Sequence, residues 1–96
     1  MAVEIVDSTR FEPAKDIVFT ALEDEVVILN LKTRRYFGLN ESGVLIWQAV
    51  QTGKDVAEMI AAMAEVYDVT PEDAREAVVT FCRELHEAGL LAVVAE

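Results

Sequence analysis

Apolar residues first recur at the short spacing that is typical of β-strands. Residues 17–22 and 26–31 are β-branched and aromatic runs, separated by the acidic triplet at 23–25. Residues 34–39 follow with two adjacent aromatics, after a polar turn near Lys32. Such runs, bounded by turn residues, predict an antiparallel meander of three strands. The third strand is expected to be an edge of this sheet.

The apolar spacing changes to about 3.6 residues after Asn40, which predicts helices. The Asn40 side chain can accept a hydrogen bond from a free N–H of a first turn, so a first helix is predicted over residues 41–51. Asp55 and Glu58 have the spacing of a capping box and predict the start of a second helix, which ends near Tyr67.

A cap residue followed by proline, Thr70-Pro71, predicts the start of a third helix, and Gly89 predicts its end. The core-facing stripe of this helix is predicted to be Ala74, Val78, Phe81, Leu85 and Ala88. Residues 90–95 would form either a further strand or a cover over the base of the core. Residues 1–16 are expected to be an extended, loosely attached arm of a single domain over residues 1–96. The predicted fold class is α+β.

Composition narrows the classes of partner and compartment. The 96 residues include 8 basic and 18 acidic ones, and the net charge of −10 comes without a Lys/Arg block, which argues against nucleic acid as a partner. The N-terminus lacks the pattern of a signal peptide, and no apolar stretch approaches the roughly 20 residues that span a bilayer. A single cysteine, Cys82, fits a reducing compartment. We expect a soluble, cytoplasmic protein with no membrane partner.

Candidate catalytic chemistry is sparse. Cys82 and His86 stand four residues apart on the third predicted helix, a spacing that a metal pair or a thiolate–imidazole dyad uses. They are the only cysteine and the only histidine, so no further ligand of either type is available. The carboxylates are spread along predicted helix surfaces, where a solvated face is the usual role. We therefore expect neither an enzyme, nor a metal site, nor a cofactor.

Two surface features remain. A second stripe on the third helix contains Arg75, Val79, Cys82 and His86, and it is either the border of the core or the wall of a binding surface. A basic cluster at residues 32–35 gathers three of the eight basic residues at one end of the predicted edge strand. Charge at an edge protects a sheet against aggregation, and it would also attract an acidic peptide.

Three short segments resemble the PqqD-like family of peptide-recognition elements for ribosomally made, modified peptides. They are Tyr-Phe-Gly-Leu-Asn at 36–40, Ile-Trp at 46–47 and Gly-Leu-Leu at 89–91, and the resemblance extends over about residues 17–91. The form of the first segment is most similar to the stand-alone leader-binding subunit of lasso-peptide systems. Members related to the quinone-cofactor pathway are the near alternative. Ala77 departs from the acidic residue expected there in many members.

The resemblance implies a winged helix-turn-helix-like fold without catalytic activity, in which a precursor leader peptide adds as an antiparallel strand to the third strand. Partner enzymes would be a leader peptidase and a cyclase, or a radical SAM enzyme in the quinone-cofactor alternative. A winged-helix DNA-binding regulator and a homodimer stay open as other interpretations. The predicted leader-binding residues are Arg34, Arg35, Tyr36, Phe37, Gly38 and Leu39 on the edge strand, and Arg75, Val79, Cys82 and Arg83 on the third helix.

Overall fold

The computed structural model of the chain describes residues 4–23 and 25–94 and contains five strands and three helices in these ranges. In chain order they are β1 (Phe11–Pro13), β2 (Ile17–Ala21), β3 (Val26–Asn30), β4 (Arg35–Leu39), α1 (Glu41–Gln51), α2 (Val56–Tyr67), α3 (Pro71–Glu87) and β5 (Leu91–Val93).

The main sheet is the predicted antiparallel meander, in the order β2-β3-β4. Ile28 lies at its centre, opposite Phe19 of β2 and Phe37 of β4. One boundary of the prediction is wrong: Arg34 belongs to the turn before β4 and has a positive φ of 61°. Among the described strands, β3 lies between β2 and β4, so both outer strands are edges of the sheet.

Each predicted helix start is capped as its sequence indicates. The Asn40 side chain accepts from the N–H of Gly43, and Thr70 accepts from the N–H of Asp73. Asp55 and Glu58 form a reciprocal capping box at the start of α2. Side-chain oxygens thus satisfy backbone donors that have no partner inside the helix, which fixes where each helix begins.

The core lies between the main sheet and the helices. Trp47 of α1 is buried against the sheet, where its ring meets Phe19 edge-on with centroids 5.4 Å apart. α2 and α3 pack together through buried side chains that include Met59 and Val78. A tightly packed face of this kind holds the helices in place beside the sheet.

The N-terminal segment is attached more firmly than expected. β1 pairs with β5 in a second, two-stranded sheet. The carbonyl groups of Asp7 and Thr9 accept from the N–H groups of Ala57 and Val56 at the start of α2. The expectation of a loose arm is therefore wrong for residues 4–16, and residues 1–3 lie outside the described part.

For residues 90–94, the structure decides between the two alternatives, a further strand or a cover over the base of the core. Leu91–Val93 form a strand, and the preceding Leu90 is buried. The predicted class, α+β with a three-stranded antiparallel sheet and three helices, is confirmed. Among residues 4–23 and 25–94, none of the helices has the length and apolar content needed to cross a bilayer.

Candidate functional site

The free edge of β4 offers backbone groups at alternate residues. Leu22 N–H donates to the Glu25 carbonyl, and Leu31 N–H donates to the Asp16 carbonyl, so β3 bonds to β2 through its odd-numbered residues. Because bonded pairs alternate in an antiparallel ladder, the even-numbered residues of β3 face β4. They pair with Arg35, Phe37 and Leu39. Tyr36 and Gly38 consequently direct their N–H and C=O groups away from β3.

Side chains on β4 alternate between the two faces of the sheet. Leu39 is buried and Phe37 is half-buried on the face that meets the helices, whereas Tyr36 is 75% exposed on the other face. Gly38 shares the outer face, and a Cβ placed on it would have no atom within 4 Å. The absence of a side chain at Gly38 is thus not required by packing inside this chain.

α3 approaches the end of β4 through one aromatic ring. Phe81 is half-buried against the first turn of α1, where a Cβ at Gly43 would lie 2.9 Å from its ring and 3.1 Å from the Cβ of Leu39. A contact of 2.9 Å is too short for a Cβ, so Gly43 is the residue that lets this ring sit beside β4. Phe81 therefore marks the flank of α3 that lies next to the edge.

Asn30 ties the other end of β4 to the C-terminus of α3. Its Nδ2 donates weakly to the carbonyls of Ala88 and Gly89 at 3.4 and 3.5 Å, and its Oδ1 accepts from the N–H groups of Lys32 and Thr33. Gly89 has a positive φ of 79°, and a Cβ there would lie 3.1 Å from the Asn30 amide. Asn30 lies opposite Arg35, so the start of β4 is near the C-terminal end of α3. Phe81, earlier in α3, is near Leu39 at the end of β4. β4 and α3 therefore run side by side in opposite directions.

Charge is distributed unevenly around this edge. Lys32, Arg34 and Arg35 are exposed at the start of β4. On α3, a shallow depression beside Phe81 is lined by Ala77 and Thr80 together with the carboxylates of Asp73, Glu76 and Glu84. A peptide along β4 would therefore have cations at one end and acidic side chains near the other.

The second stripe of α3 faces away from β4. Arg75 pairs with Asp7 of the N-terminal segment, and its hydrogen bond holds the pKa of that carboxyl below the usual range. His86 Nδ1 lies 3.0 Å from the Leu91 carbonyl of β5, and its ring is tilted against Phe11. These contacts assign the stripe to the small sheet and the N-terminal segment.

Cys82 is a core residue. It is fully buried, its Sγ lies 4.0 Å from Met59 Sδ, and burial raises the pKa of the thiol to about 12. A contact between Cys82 and a bound peptide conflicts with this burial. In the described part of the chain, no three His, Cys, Asp or Glu side chains are grouped as a metal site requires.

The remaining predicted helix residues lie on the same flank as Arg75. Val79 and Arg83 follow Arg75 at four-residue steps, and both are half-buried. The structure thus groups the predicted residues of β4 with each other, and it separates them from the four predicted residues of α3.

The flank of α3 beside β4 was missed as a surface. With Phe81 it contains Ala77, Glu84 and Ala88, at the helical spacings of four and three residues. The predicted core stripe includes Phe81 and Ala88, but both are only half-buried and pack against the margin of the core. An aromatic at the margin of the apolar stripe, next to the small residue Ala77, was the signal available in the sequence.

A family profile described as Coenzyme PQQ synthesis protein D (PqqD) matches residues 25–91. The match covers more than half of the chain and includes β4 and all of α3. The chain belongs to the PqqD family. The resemblance found at residues 36–40, 46–47 and 89–91 is thereby confirmed. No curated protein matches the chain.

Two solved structures share the fold of this PqqD-family chain. "TbiB1 in Complex with the TbiA(beta) Leader Peptide" is 32% identical, with a TM-score of 0.82, over 88% of this chain and 99% of that chain. "Lasso peptide synthetase B1 complexed with the leader peptide" has a TM-score of 0.80 at 23% identity, over 86% of this chain and 98% of that chain. At that lower identity, the second likeness shows the fold alone.

Proposed function

We propose that this protein binds the leader segment of a ribosomally made precursor peptide as an antiparallel strand added to β4. The observation that carries the proposal is the free edge, where Tyr36 and Gly38 direct backbone donors and acceptors outward. Strand addition takes affinity from such main-chain groups and specificity from pockets for alternate side chains. The likeness to a 32% identical protein whose structure contains a leader peptide supports this choice of ligand.

Alternate side chains of the leader would meet different surroundings. Those on the helix side would lie over Phe37 and beside Phe81, the half-buried rings that border the gap between β4 and α3. Burying an apolar side chain there contributes about 1.5–3 kcal/mol. The flank of α3 that contains Phe81 is thus the specificity wall of the proposed site, in place of Arg75, Val79, Cys82 and Arg83.

The basic cluster at residues 32–35 would favour acidic residues in the part of the leader that lies beside it. An antiparallel leader would place its C-terminal part beside Arg35, because β4 begins at this residue. Arg34 and Lys32 are exposed at the same end. Acidic side chains in that part of the leader would each gain about 0.2–1 kcal/mol from exposed ion pairs.

Under this proposal the chain carries out no reaction itself. It acts as an adaptor that holds the precursor while separate enzymes, a leader peptidase and then a cyclase, process it. A second candidate is delivery to a radical SAM enzyme in a peptide-derived cofactor pathway, which the match to the Coenzyme PQQ synthesis protein D family supports. Co-purification of the tagged chain with each enzyme, with and without leader, distinguishes the two.

Fluorescence anisotropy tests the binding step. Two labelled probes are used: the TbiA(beta) leader peptide, and the leader encoded by the precursor gene that neighbours this gene. We expect saturable binding of the second probe with a Kd between about 10 nM and 1 µM, equivalent to about 8–11 kcal/mol. No saturation of either probe below about 100 µM, or about 5.5 kcal/mol, would contradict the proposal.

A further inference from the structure

A half-enclosed cavity of about 220 Å³ lies between α1 and α2, apart from the proposed leader site. Its apolar walls are formed by Leu45, Ile46 and Ala49 of α1 and by Met59 and Ala62 of α2. Ile46 and Met59 are buried core residues, whereas Ala62 is half-buried at the surface. Ligand cavities in proteins are mainly apolar in the same way, and those for drug-sized molecules measure about 300–1,000 Å³. The volume of this cavity therefore suits a smaller molecule.

The polar groups of the cavity come from the end of α1 and the turn that follows it. Gln48, Thr52 and Lys54 are exposed and complete the lining. The Thr52 hydroxyl is already used, since it donates to the carbonyls of Gln48 and Ala49, each at 3.1 Å. The Lys54 N–H donates to the Ala49 carbonyl at 3.0 Å, which fixes the backbone of Lys54 beside the cavity. The groups left for a ligand are the Gln48 amide and the Lys54 ammonium.

The charge of Lys54 is available to a ligand. The neighbouring carboxylates are engaged in the capping box, where Asp55 accepts from the N–H of Glu58 at 2.9 Å and Glu58 accepts from the N–H of Asp55 at 3.1 Å. In residues 4–23 and 25–94, the one salt bridge joins Arg75 to Asp7, so Lys54 forms no ion pair within these ranges. The net charge of −10 repels an anion at longer range, and added salt screens that repulsion.

We propose that this cavity binds a small amphipathic carboxylate, a compound with a short hydrocarbon chain and one terminal carboxyl group. The hydrocarbon would lie between α1 and α2, because burial against an apolar lining removes it from water. The carboxylate would lie at the rim, where the Lys54 ammonium attracts it and the Gln48 amide donates a hydrogen bond. The lining contains one cation and no carboxylate, so an anion is its electrostatic complement. The inference is independent of leader binding, since the cavity shares no residue with β4 or α3.

A series of straight-chain acids measures how much hydrocarbon the cavity buries. The isotope-labelled full chain is titrated by NMR with butanoate, hexanoate, octanoate and decanoate, below their micelle concentrations and in about 150 mM NaCl. Each buried CH₂ contributes about 0.8 kcal/mol, so every step of two carbons should lower the Kd about 15-fold until the cavity is full. The largest changes in amide chemical shift are expected at Ala49, Lys54 and Ala62.

The role of the carboxylate is tested by comparing octanoate with octanol, its neutral counterpart. An exposed ion pair together with a charge-assisted hydrogen bond should make octanoate bind about 3- to 10-fold more tightly than octanol. Lys54→Gln should remove most of this difference and leave octanol unaltered, whereas Lys54→Arg should retain it. Lys32→Gln, at an exposed lysine outside the lining, is the matched control and should leave both Kd values unaltered. Lys54→Gln and Lys32→Gln change the net charge equally, so long-range repulsion does not explain a difference between them.

A bulky residue tests the position of the ligand. Ala62→Phe places a ring in the cavity and should raise the octanoate Kd at least about tenfold. Ala61→Phe, at an exposed residue outside the lining, should leave it unaltered. Circular dichroism checks that both variants are folded, and the Lys54 variants test the site if Ala62→Phe is not.

Four results would overturn the inference. They are no saturable binding of octanoate below about 10 mM, a Kd that does not depend on chain length, equal affinity for octanol and octanoate, and unaltered binding in folded Ala62→Phe. Anisotropy of a labelled leader on the same samples reports β4 separately, so failure at the cavity is distinguishable from failure at the leader site.

Discussion

Replacing Gly38 by proline removes a backbone donor from the free edge of β4 while leaving the ladder to β3 intact. Gly38 directs its N–H outward, and its neighbours Phe37 and Leu39 make the bonds to β3. Proline is tolerated at an edge position whose N–H faces solvent. We therefore expect the free energy of unfolding to change by less than about 1 kcal/mol, within the range of surface substitutions that disturb no buried group.

The effect on leader binding should be much larger. The variant loses one main-chain hydrogen bond and hinders a second, because the ring occupies the place of the added strand. At about 0.5–1.5 kcal/mol each, two bonds are equivalent to about 1–3 kcal/mol. The Kd should therefore rise about 5- to 150-fold. Anisotropy titration of the labelled leader measures this change, and urea unfolding of the same samples measures stability.

Two controls make the comparison specific. Gly38→Ala keeps the donor, and its Cβ would enter open space, so leader affinity should stay close to that of the wild type. Phe37→Pro removes a bond to buried Ile28 and should destabilise the domain by about 1–3 kcal/mol. A folded Gly38→Pro variant that binds leader with the wild-type Kd would refute the assignment of the edge.

Three further predictions concern α3, the basic cluster and the buried thiol. Ala77→Glu should weaken leader binding about tenfold, or about 1.4 kcal/mol, because it places a charge beside the Phe81 ring. Val79→Glu, on the opposite flank of α3, should leave the Kd of the folded protein within about twofold. A larger loss of affinity for Val79→Glu than for Ala77→Glu would return the wall to the Arg75 flank. Arg34→Gln with Arg35→Gln should raise the Kd about 2- to 10-fold at low salt and reduce its dependence on NaCl, because exposed ion pairs are weak and screened. An unchanged salt dependence would contradict the role of the cluster. Burial raises the pKa of Cys82 to about 12. As the pH rises, the thiol therefore loses its proton first in the unfolded state, and the free energy of unfolding should fall between about pH 9 and 12. A thiol reagent should not react at pH 8 until denaturant is added, and rapid reaction of the native protein would place Cys82 at the surface.

Local signals explain how much of the fold was predictable. Strand runs, the Asn40 cap, the capping box at Asp55 and the Thr70-Pro71 start each depend on neighbours within four residues, and each fixed an element boundary closely. The sequence predicts Arg34 as part of the strand, because a left-handed backbone conformation has no strong sequence signal outside glycine, asparagine and aspartate.

Errors arose where distant parts of the chain meet. β1 is short and contains Pro13, so nothing local indicated that β5 would pair with it. The same distance explains the candidate site. β4 was recognised from its own residues, but the flank of α3 that faces it depends on helix rotation, which is set by contacts such as Phe81 with Gly43. A stripe pattern gives the spacing of residues and leaves that rotation undetermined.

Cys82 shows how a helical stripe can mislead. Its neighbours Arg75 and His86 are polar, which favoured a surface between core and solvent. In the structure, each polar residue finds its own partner, Asp7 for Arg75 and the Leu91 carbonyl for His86. Cys82 meanwhile lies fully buried against Met59. A face that is mixed in sequence is thus covered by the N-terminal segment, α2 and β5.

Amide hydrogen exchange by NMR, measured with and without the neighbouring gene's leader peptide, tests the central claim most directly. In the free protein, the amides of Phe37 and Leu39 should exchange slowly, because they bond to β3, whereas those of Tyr36 and Gly38 should exchange quickly. Saturating leader should slow exchange at Tyr36 and Gly38 and leave the other two amides nearly unchanged. Fast exchange at both positions in the saturated complex would contradict strand addition at β4.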